Sequence, residues 1–343
     1  MFTFADYLKE PFENMQVYRD TGKLPDFRNG VVTIGTFDGV HTGHRQIIAQ
    51  LKEEAKEIKG ETVIITFHPH PRRVVGDASK SVQLLNTIEE KTALLAEAGI
   101  DHLVICPFTE RFSQLTAEEY ITEFLLRKFR PHTIVIGYDH RFGQGRKGDY
   151  KLLEDFSDKH GFRLKEIPAH IIKESTVSST HIRNALLAGD AGTASELLGY
   201  DYFFQGKVIE GNKLGRTLGY PTANLDVENP EKLIPGNGVY AVNARLEDHV
   251  GTIAGKSFEL PAGFIDKMHH GMMNIGVRPT IDQSARRTIE INLFNFNEDI
   301  YGRILTVYVK KFLRHELKFP GLDALKQQLA KDKQDALDAT QRA

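Results

Sequence analysis

The sequence predicts an α/β domain with a parallel sheet, followed by a small antiparallel β-barrel with one closing helix. Between residues 31 and about 185, short apolar strands alternate with amphipathic helices, which is the pattern of a parallel sheet covered on both faces. From residue 202 onward, strand-like runs follow one another with no helix between them, as in a small barrel. A length of 343 residues also favours two domains over one. We therefore predict domains at 1–186 and 201–343, joined by a linker at 187–200.

The individual elements follow from the apolar periodicity of the chain. In the first domain the predicted strands cover 31–34, 62–67, 102–106, 133–137 and 162–167. The first predicted helix begins near residue 42, and the later ones cover 88–98, 117–128, 150–160 and 184–187. In the second domain the predicted strands cover 202–209, 238–244, 271–276, 288–294 and 305–309, and the closing helix covers 322–330. Ligands of a parallel sheet bind at the carboxyl ends of its strands, so motifs at those ends are candidate sites.

Composition and charge exclude several classes of protein. The formal net charge of −2 gives no support for a surface that binds nucleic acid. The single cysteine, Cys106, excludes an intrachain disulfide, argues against a zinc cluster, and follows an apolar run that predicts a buried thiol. The first residues lack a basic segment followed by an apolar core, and no apolar run reaches membrane-spanning length. We expect a cytoplasmic protein that binds small molecules and neither membrane nor nucleic acid, as a monomer or a weak homo-oligomer.

The first candidate site lies where the strand at 31–34 gives way to a helix. A turn rich in glycine, Gly35-Thr-Phe-Asp-Gly39, separates the two elements, and this order aims the first N–H groups of the helix at one point, which suits a phosphate. His41 and His44 are three residues apart and can share one side of the first turn. Imidazoles there can donate hydrogen bonds to phosphoryl oxygens that gain charge during transfer. A pair of surface histidines is the alternative, but the preceding strand and turn favour phosphate chemistry.

Two loops follow later strands of the first domain. Phe67 and His68 open a segment with two prolines, which is rigid and has an aromatic face suited to a planar ligand; rigidity alone explains it equally well. The loop after the strand at 133–137 contains Asp139, Arg141, glycines and further basic residues. Such a loop can hold a di- or triphosphate, and its place at a strand end favours that interpretation over a solvated hairpin.

Hydroxyl residues precede the last helix of the first domain. An ordinary N-cap explains one of them, but it does not explain Ser179 and Thr180 together with Arg183 one turn inside the helix. Hydroxyls, helix N–H groups and a guanidinium together make an anion site.

These motifs resemble two signatures of a known enzyme superfamily. The run Gly-Thr-Phe-Asp-Gly-Val-His-Thr-Gly-His is similar to that of the nucleotidylyltransferases, in the form used by bacterial FAD synthetases, and Ser-Ser-Thr-x-Ile-Arg is similar to their second signature. The resemblance implies a Rossmann-like domain that moves the adenylyl group of ATP to the phosphate of FMN and releases pyrophosphate. Because that phosphate is already anionic, positioning and charge neutralisation suffice, without a protein nucleophile or a general base.

The same resemblance implies roles for individual residues. His41 and His44 are expected at the α- and β-phosphates in the transition state. The expected contacts are Gly35, Phe37, Asp38 and Gly39 around the nucleotide, Ser179, Thr180 and Arg183 on the phosphates, and Phe67, His68, Asp139 and Arg141 on the flavin side.

In the second domain, a glycine-rich basic loop with Gly215 and Gly219 leads into Pro221-Thr222-Ala-Asn224. A hydroxyl and a carboxamide two residues apart lie on one side of an extended chain, and both supply oxygen ligands suited to Mg²⁺ that also holds nucleotide phosphates. A simple turn is the alternative.

Together with Pro-Gly-Asn-Gly-Val-Tyr at 235–240, Asn-Ile-Gly-x-Arg-Pro-Thr at 274–280 and Thr-Ile-Glu at 288–290, this motif resembles riboflavin kinase. The resemblance implies that Glu290 is the general base for the riboflavin 5′-hydroxyl, which must lose a proton to attack a phosphoryl group. A solvent-facing carboxylate in an alternating strand is the alternative from the residues alone. The expected pocket residues are Thr222 and Asn224 for Mg²⁺, and Gly215, Gly219, Pro221, Asn274 and Arg278 for ATP or flavin.

The two resemblances imply a bifunctional enzyme that makes FMN from riboflavin and then FAD from FMN, with ATP and Mg²⁺ in both steps. Asn292 and Asn295 depart from the pattern expected after the base. Two alternatives remain open at this point. The first domain could adenylylate another phosphorylated acceptor beside a flavokinase, or the chain could be a non-catalytic flavin-binding regulator.

Overall fold

The computed structural model describes residues 15–76, 83–137, 140–167, 177–211, 219–247, 268–279 and 285–341. The chain divides into two compact units, Met1–Ser179 and Thr180–Ala343. The boundary falls in the first turn of a helix, Ser179–Leu187.

The first unit is built on a six-stranded sheet in the order β1-β4-β3-β2-β5-β6, and all its paired strands run parallel. Its strands are β1 (Gln16–Tyr18), β2 (Val31–Ile34), β3 (Thr62–His68), β4 (His102–Pro107), β5 (Thr133–Gly137) and β6 (Arg163–Ile167). The predicted parallel sheet is confirmed, and Cys106 in β4 is buried as predicted. The short edge strand β1 is not predicted, because three partly exposed residues carry no apolar period.

The longer helices of the first unit lie where the apolar periodicity predicts them, whereas two short helices, Pro71–Val75 and Glu110–Ser113, are not predicted. The other described α-helices are Thr42–Glu57, Ile88–Glu97, Ala117–Glu119, Arg127–Phe129 and Tyr150–His160. The predicted helix over 117–128 differs in one respect, because its middle, Tyr120–Leu126, is wound as a π-helix. Tyr120 and Phe124 of this segment lie in the buried core of the unit.

The order of strands locates the ligand edge of this sheet. Beyond β2 the chain adds β3 and β4 on one side, and then β5 and β6 on the other side. The strand order therefore reverses between β2 and β5, and such a switch point is where open α/β sheets bind ligands. The helix Thr42–Glu57 begins there, directly after β2 and its turn.

The second unit is a closed barrel in the order β10-β11-β8-β7-β12-β9, with every neighbouring pair antiparallel. Its strands are β7 (Phe203–Ile209), β8 (Ala223–Asp226), β9 (Gly238–Glu247), β10 (His269–Pro279), β11 (Ala285–Leu293) and β12 (Ile304–Arg314). The predicted barrel is confirmed. The sequence does not predict β8, because only Leu225 of its four residues is buried.

Within the described residues, three helices accompany the barrel. Ser179–Leu187 begins five residues before the predicted helix at 184–187, and Ala191–Leu198 lies within the predicted linker. The closing helix, Leu322–Gln341, continues past its predicted end at residue 330. In this continuation, Asp332 is only 1% exposed and forms a two-point ion pair with Arg314 at the end of β12, with Nε–Oδ1 at 2.9 Å and Nη2–Oδ2 at 2.7 Å. A charged residue that is buried by pairing gives no apolar signal in the sequence.

None of the helices in the described parts of the chain combines the length and the apolar character that a membrane crossing requires.

Candidate active sites

The two histidines of the first motif form one stacked pair at the start of the helix Thr42–Glu57. His41 is the N-cap, and its Nδ1 accepts the backbone N–H of His44 at 3.3 Å. The two ring centroids are 3.7 Å apart and the ring planes differ by 17°. Because Nδ1 of His41 accepts a hydrogen bond, the proton of its neutral imidazole is on Nε2, where it can be donated. Two imidazoles at this distance cannot both carry a charge without strong repulsion.

His44 is held neutral. Burial lowers its pKa well below the ordinary value, and the neighbouring charges of His41 and Lys91 lower it further. Its Nδ1 is buried and has no hydrogen-bond partner within the described part of the chain. A buried polar atom without a partner is costly, and a ligand that supplies one removes that cost.

The turn before the histidines has an unusual backbone. Phe37 and Val40 have positive φ angles of 45° and 36°, and Gly39 has one of 91°. The ring of Phe37 packs on His44 with centroids 4.9 Å apart, and a Cβ at Gly35 would lie 3.0 Å from the same ring. Non-glycine residues with positive φ carry strain that persists only where the surroundings hold the backbone in place.

Asp38 supplies that restraint. Its Oδ1 accepts the backbone N–H groups of Leu85 at 3.0 Å and Asn86 at 3.3 Å, and its backbone carbonyl accepts the hydroxyl of Ser179 at 2.9 Å. The structure thus brings the first signature and the start of the second together through Asp38 and Ser179. Thr180 and Arg183 lie on the helix that begins at Ser179, and their roles at the phosphates stay predictions.

Lys91 is a residue of this region that the sequence does not reveal. It lies on the helix Ile88–Glu97 in a run of charged residues that predicts a solvated face, yet it is only 6% exposed. Burial lowers the pKa of its ammonium to about 8, and the charge of Asp38 acts in the opposite direction. Its interaction with Asp38 and His44 places a buried cation beside the histidine pair.

The predicted flavin side contains a cluster of aromatic rings at the carboxyl ends of β3 and β4. The ring of Phe67 lies 5.4 Å from Phe108 and 5.6 Å from Phe112, and the backbone N–H of Phe108 donates to the carbonyl of His68 at 3.4 Å. Phe108 and Phe112 are not predicted as site residues, although Phe108 directly follows a strand of the sheet, which is the position where such sheets bind ligands. His68 itself is exposed.

The basic loop after β5 is only partly described. Asp139 lies outside the described residues. Arg141 is exposed and pairs with Asp149 at 2.9 Å. Asp149 is also the N-cap of the helix Tyr150–His160, and its hydrogen bond from Leu152 is the main reason that its pKa is lowered. Arg141 is therefore occupied in this conformation by an exposed ion pair, which is a weak interaction that a phosphate can replace.

In the barrel, strand pairing brings three predicted residues into one row. Glu290 of β11 is opposite Asn274 of β10 on one side and opposite Asn224 of β8 on the other. Ile289 and Ile291, the neighbours of Glu290, are buried, so Glu290 points to the other face of the sheet. Directly opposed side chains are close enough to interact, so this row is a candidate site with one carboxylate between two carboxamides.

Asn224 lies against backbone that only glycine permits. A Cβ at Gly211 would lie 2.0 Å from Nδ2 and 2.6 Å from Cγ of Asn224. Gly219 has a φ of 83° in the turn before the Pro-Thr-Ala-Asn motif, whereas Gly215 lies outside the described residues. The glycines of this region therefore provide both the turn and the room for the carboxamide.

Asn274 is held from the other side of the row. Its Nδ2 donates to Oε1 of Glu316 at 3.3 Å, and a Cβ at Gly276 would lie 2.2 Å from the same oxygen. Glu316 follows β12 and is not predicted from the sequence. Arg278 lies in β10, and its predicted pocket contact stays a prediction.

The two departures from the expected pattern have structural roles. Nδ2 of Asn292, a buried residue, donates to the backbone carbonyl of Pro221 at 2.6 Å and so fixes the start of the Pro-Thr-Ala-Asn motif. Asn295 has a φ of 53°, a left-handed conformation that asparagine tolerates better than most residues.

A cavity of about 480 Å³ lies beside this motif in the second unit. Its walls include Pro221, Thr222, Phe296, Glu298 and Tyr301. Thr222 therefore faces a space of a size that accepts a nucleotide-sized ligand, while Glu290 and Asn224 do not line it.

The Pro-Gly-Asn-Gly-Val-Tyr motif has a packing role. Arg287 donates from Nε to Oδ1 of Asn237 at 3.0 Å and from Nη1 to the carbonyl of Ile234 at 3.2 Å. The hydroxyl of Tyr240 donates to the carbonyl of Gly236 at 2.6 Å, and burial raises its pKa to about 12. These bonds fix the entry to β9.

Comparison with known proteins gives consistent matches over both halves. A family model described as FAD synthetase matches residues 23–181, and one described as riboflavin kinase matches residues 198–340. A protein of Escherichia coli strain K12 named bifunctional riboflavin kinase/FMN adenylyltransferase is 35% identical over 302 residues, which are 88% of this chain and 90% of that protein. A protein of Bacillus subtilis strain 168 with the same name is 35% identical over 311 residues, covering 90% of this chain and 91% of the relative.

A solved structure is similar over almost the full length. It is described as a macrolide-efflux protein from Streptococcus pneumoniae, and it matches with a TM-score of 0.78 and 26% identity over 94% of this chain and 98% of its own. That chain is therefore similar in fold to this one, and its description applies to that protein.

Proposed function

Because this chain belongs to the family of bifunctional riboflavin kinase/FMN adenylyltransferases, we propose that its two activities are divided between the histidine pair of the parallel-sheet unit and the Glu290 row of the barrel. The chain phosphorylates riboflavin with ATP to give FMN, and it adenylylates FMN with ATP to give FAD and pyrophosphate. Neither alternative from the sequence is favoured by the matches. The observation that carries the division is the pairing of Glu290 with Asn224 and Asn274.

In the adenylylation step, the phosphate of FMN attacks the α-phosphorus of ATP, and the bond to pyrophosphate breaks. The attacking oxygen is already charged, so the chain has only to orient the two phosphates and stabilise charge. A neutral His44 and the Nε2–H of His41 are suited to donate hydrogen bonds to the phosphoryl oxygens. Their place at the switch point of the sheet and at a helix N-terminus supports this role.

We place the isoalloxazine ring of FMN at the aromatic cluster of Phe67, Phe108 and Phe112. These rings lie at the carboxyl ends of β3 and β4, the same edge of the sheet at which the histidine pair follows β2. Aromatic faces favour stacked or edge-on contact with a planar ligand.

In the kinase step, Glu290 takes the proton of the riboflavin 5′-hydroxyl while that oxygen attacks the γ-phosphorus of ATP, and ADP leaves. The two carboxamides beside Glu290 are neutral, so they orient its carboxylate without supplying a charge that would weaken it as a base. The cavity beside Thr222 has the size for the nucleotide.

The donor set of this site fits Mg²⁺ that is carried largely by nucleotide phosphates. Thr222 and Asn224 offer a hydroxyl and an amide oxygen, and the described part of the chain has no cluster of three or more His, Cys, Asp or Glu residues that could hold a metal by itself. When bound, Mg²⁺ supplies charge neutralisation at the phosphates. The protein residues themselves hold the nucleotide and keep Glu290 beside the riboflavin 5′-hydroxyl.

We further propose residues 1–186 as the adenylyltransferase domain and 201–343 as the kinase domain, with 187–200 between them. A cytoplasmic location fits two reactions that both consume ATP. The predicted monomer or weak homo-oligomer, and the predicted lack of nucleic-acid binding, stay predictions.

Two substitutions in the full-length chain test the division. Chromatography of riboflavin, FMN and FAD with Mg²⁺–ATP should show that Glu290→Gln abolishes FMN formation but leaves adenylylation of supplied FMN unchanged. His44→Ala should do the reverse, because it removes a donor used only in the first unit. Each activity is thus the folding control for the other variant. Loss of both activities in a folded variant would contradict the division.

A further inference from the structure

A buried cation lies beside the adenylylation site and has no part in the steps described above. Lys91 is 6% exposed and lies on the helix Ile88–Glu97. The start of that helix is fixed by a capping box, in which Thr87 accepts the N–H of Glu90 at 3.2 Å and Glu90 accepts the N–H of Thr87 at 2.9 Å. An ammonium in such a place is costly unless an opposite charge balances it.

Asp38 is the anion that interacts with it. The carboxylate of Asp38 is buried, with the residue only 1% exposed, and it accepts two backbone N–H groups just before the helix that carries Lys91. Burial lowers the pKa of the Lys91 ammonium to about 8, and the charge of Asp38 opposes that shift. The two buried groups therefore carry opposite charges that stabilise each other, and loss of either charge would leave the other unbalanced in the protein interior.

The turn around Asp38 needs such an anchor. Phe37 and Val40, on either side of Asp38 in this turn, both have positive φ angles, which non-glycine residues keep only where the surroundings hold the backbone in place. The turn ends at His41, whose ring caps the helix and stacks on His44. Release of the Asp38 carboxylate would let the turn relax and would move the stacked pair.

We propose that Lys91 is a positioning residue of the adenylylation site, whose ammonium balances the buried carboxylate of Asp38 and so holds the turn that presents His41 and His44. The inference rests on the proposed role of the two histidines. Lys91 acts through Asp38 and is assigned no contact with substrate.

A second effect of the same charge gives a distinct readout. Burial is the main reason that the pKa of the His44 imidazole is low, and the charges of His41 from the helix cap and Lys91 from the neighbouring helix lower it further. Asp38 faces Lys91, and Arg45, the residue after His44, pairs with Glu97 at 3.9 Å. Removal of the Lys91 charge should therefore raise the pKa of His44 and move the acid limb of adenylylation to higher pH.

The test compares Lys91→Met with Lys91→Arg in the full-length chain. Lys52→Met is the matched control, because Nζ of Lys52 also joins the two helices, through a bond to the carbonyl of Ala98 at 2.9 Å, but lies outside the site. We expect Lys91→Met to lower kcat for supplied FMN by roughly 10²-fold, with a smaller change in KM for ATP, and to shift the acid limb upward. Lys91→Arg should retain most of kcat, Lys52→Met should resemble the parent, and riboflavin phosphorylation should be unchanged in all three.

The double variant Asp38→Asn/Lys91→Met keeps the proposal testable if Lys91→Met folds poorly. Removal of both charges avoids an unpaired buried ion, so the double variant should be more stable than Lys91→Met in thermal unfolding and should recover part of kcat. A Lys91→Met enzyme with the parent kcat and pH profile would overturn the proposal, as would a double variant no better than the single one.

His44→Ala is measured in parallel. If it retains adenylylation, the proposed function fails; if it loses adenylylation while Lys91→Met does not, only the role of Lys91 fails.

Discussion

Gly211→Ala should slow riboflavin phosphorylation, because the added methyl group would displace the side chain of Asn224. Gly211 follows β7, and its backbone φ lies outside the left-handed region, so alanine fits the local conformation. The added Cβ, however, would lie 2.0 Å from Nδ2 and 2.6 Å from Cγ of Asn224. Cβ atoms essentially never come within 3.0 Å of a heavy atom outside their own and the adjacent residues. Because Cγ as well as Nδ2 is too close, a small rotation cannot relieve the overlap, and the whole carboxamide must move.

The size of that movement sets the expected loss. The difference between 3.0 and 2.0 Å requires a displacement of about 1 Å, and misplacement of a catalytic group by that amount costs on the order of 10²-fold in rate. This factor corresponds to about 2.7 kcal/mol in kcat/KM. Asn224 is directly opposite Glu290, so the loss should appear in riboflavin phosphorylation.

The assay is the conversion of riboflavin to FMN with Mg²⁺–ATP, with adenylylation of supplied FMN measured on the same preparation. Gly321→Ala is the matched control, because nothing lies within 4 Å of a Cβ at that position in the same unit. We expect Gly321→Ala to match the parent in both activities. A Gly211→Ala enzyme with normal FMN formation would show that the position of the Asn224 carboxamide does not matter to the chemistry.

Two further expectations concern the barrel and the first unit. Gly276→Ala should displace the Glu316 carboxylate, since the added Cβ would lie 2.2 Å from Oε1, and so release Asn274. We expect FMN formation to fall roughly tenfold. Combining this variant with Glu316→Ala should cause no additional loss, because the effects of coupled residues are not additive. Burial raises the pKa of Glu97 to about 7 against the opposing charge of Arg45, so the folded chain holds this proton more tightly than the unfolded chain does. The free energy of unfolding should therefore decrease as pH rises from 4.5 to about 7, and urea unfolding at a series of pH values should show a weaker dependence for Glu97→Gln; an unchanged pH dependence would contradict the burial argument.

The parts of the fold in which apolar residues recur at a regular spacing could be predicted from the sequence. The buried run of β2 and the helix after it predict the position of His41 and His44, and the structure adds the stacking of their rings. The strands of the barrel are predicted one by one except for β8, whose four residues have only Leu225 buried. The sequence does not predict β8 because one buried residue in four gives no alternation, and the three residues of β1 are too few to show one.

The residues that the sequence could not reveal owe their positions to contacts with distant segments. Lys91 lies in a charged run, and only the packing of its helix beside Asp38 buries it. Glu316 follows the last strand and meets Asn274 only because the barrel closes. Asp38, by contrast, is a residue that the sequence does single out. Its predicted place in the nucleotide pocket stays a prediction, while in the structure its carboxylate accepts hydrogen bonds from the backbone N–H groups of Leu85 and Asn86.

The ion pair that docks the last helix affects how far the chain can be shortened. Asp332 is bound by Arg314, and only one residue separates Arg314 from Glu316, whose carboxylate reaches the amide of Asn274. A cut in the tail that removes Asp332 would leave the Arg314 guanidinium without its buried counter-ion, next to the segment that steadies the row around Glu290. Trimming the tail back through Asp332 should therefore slow riboflavin phosphorylation, and it also removes Ala336, which packs in a buried cluster with Ala241, Met272 and Phe294 of the barrel.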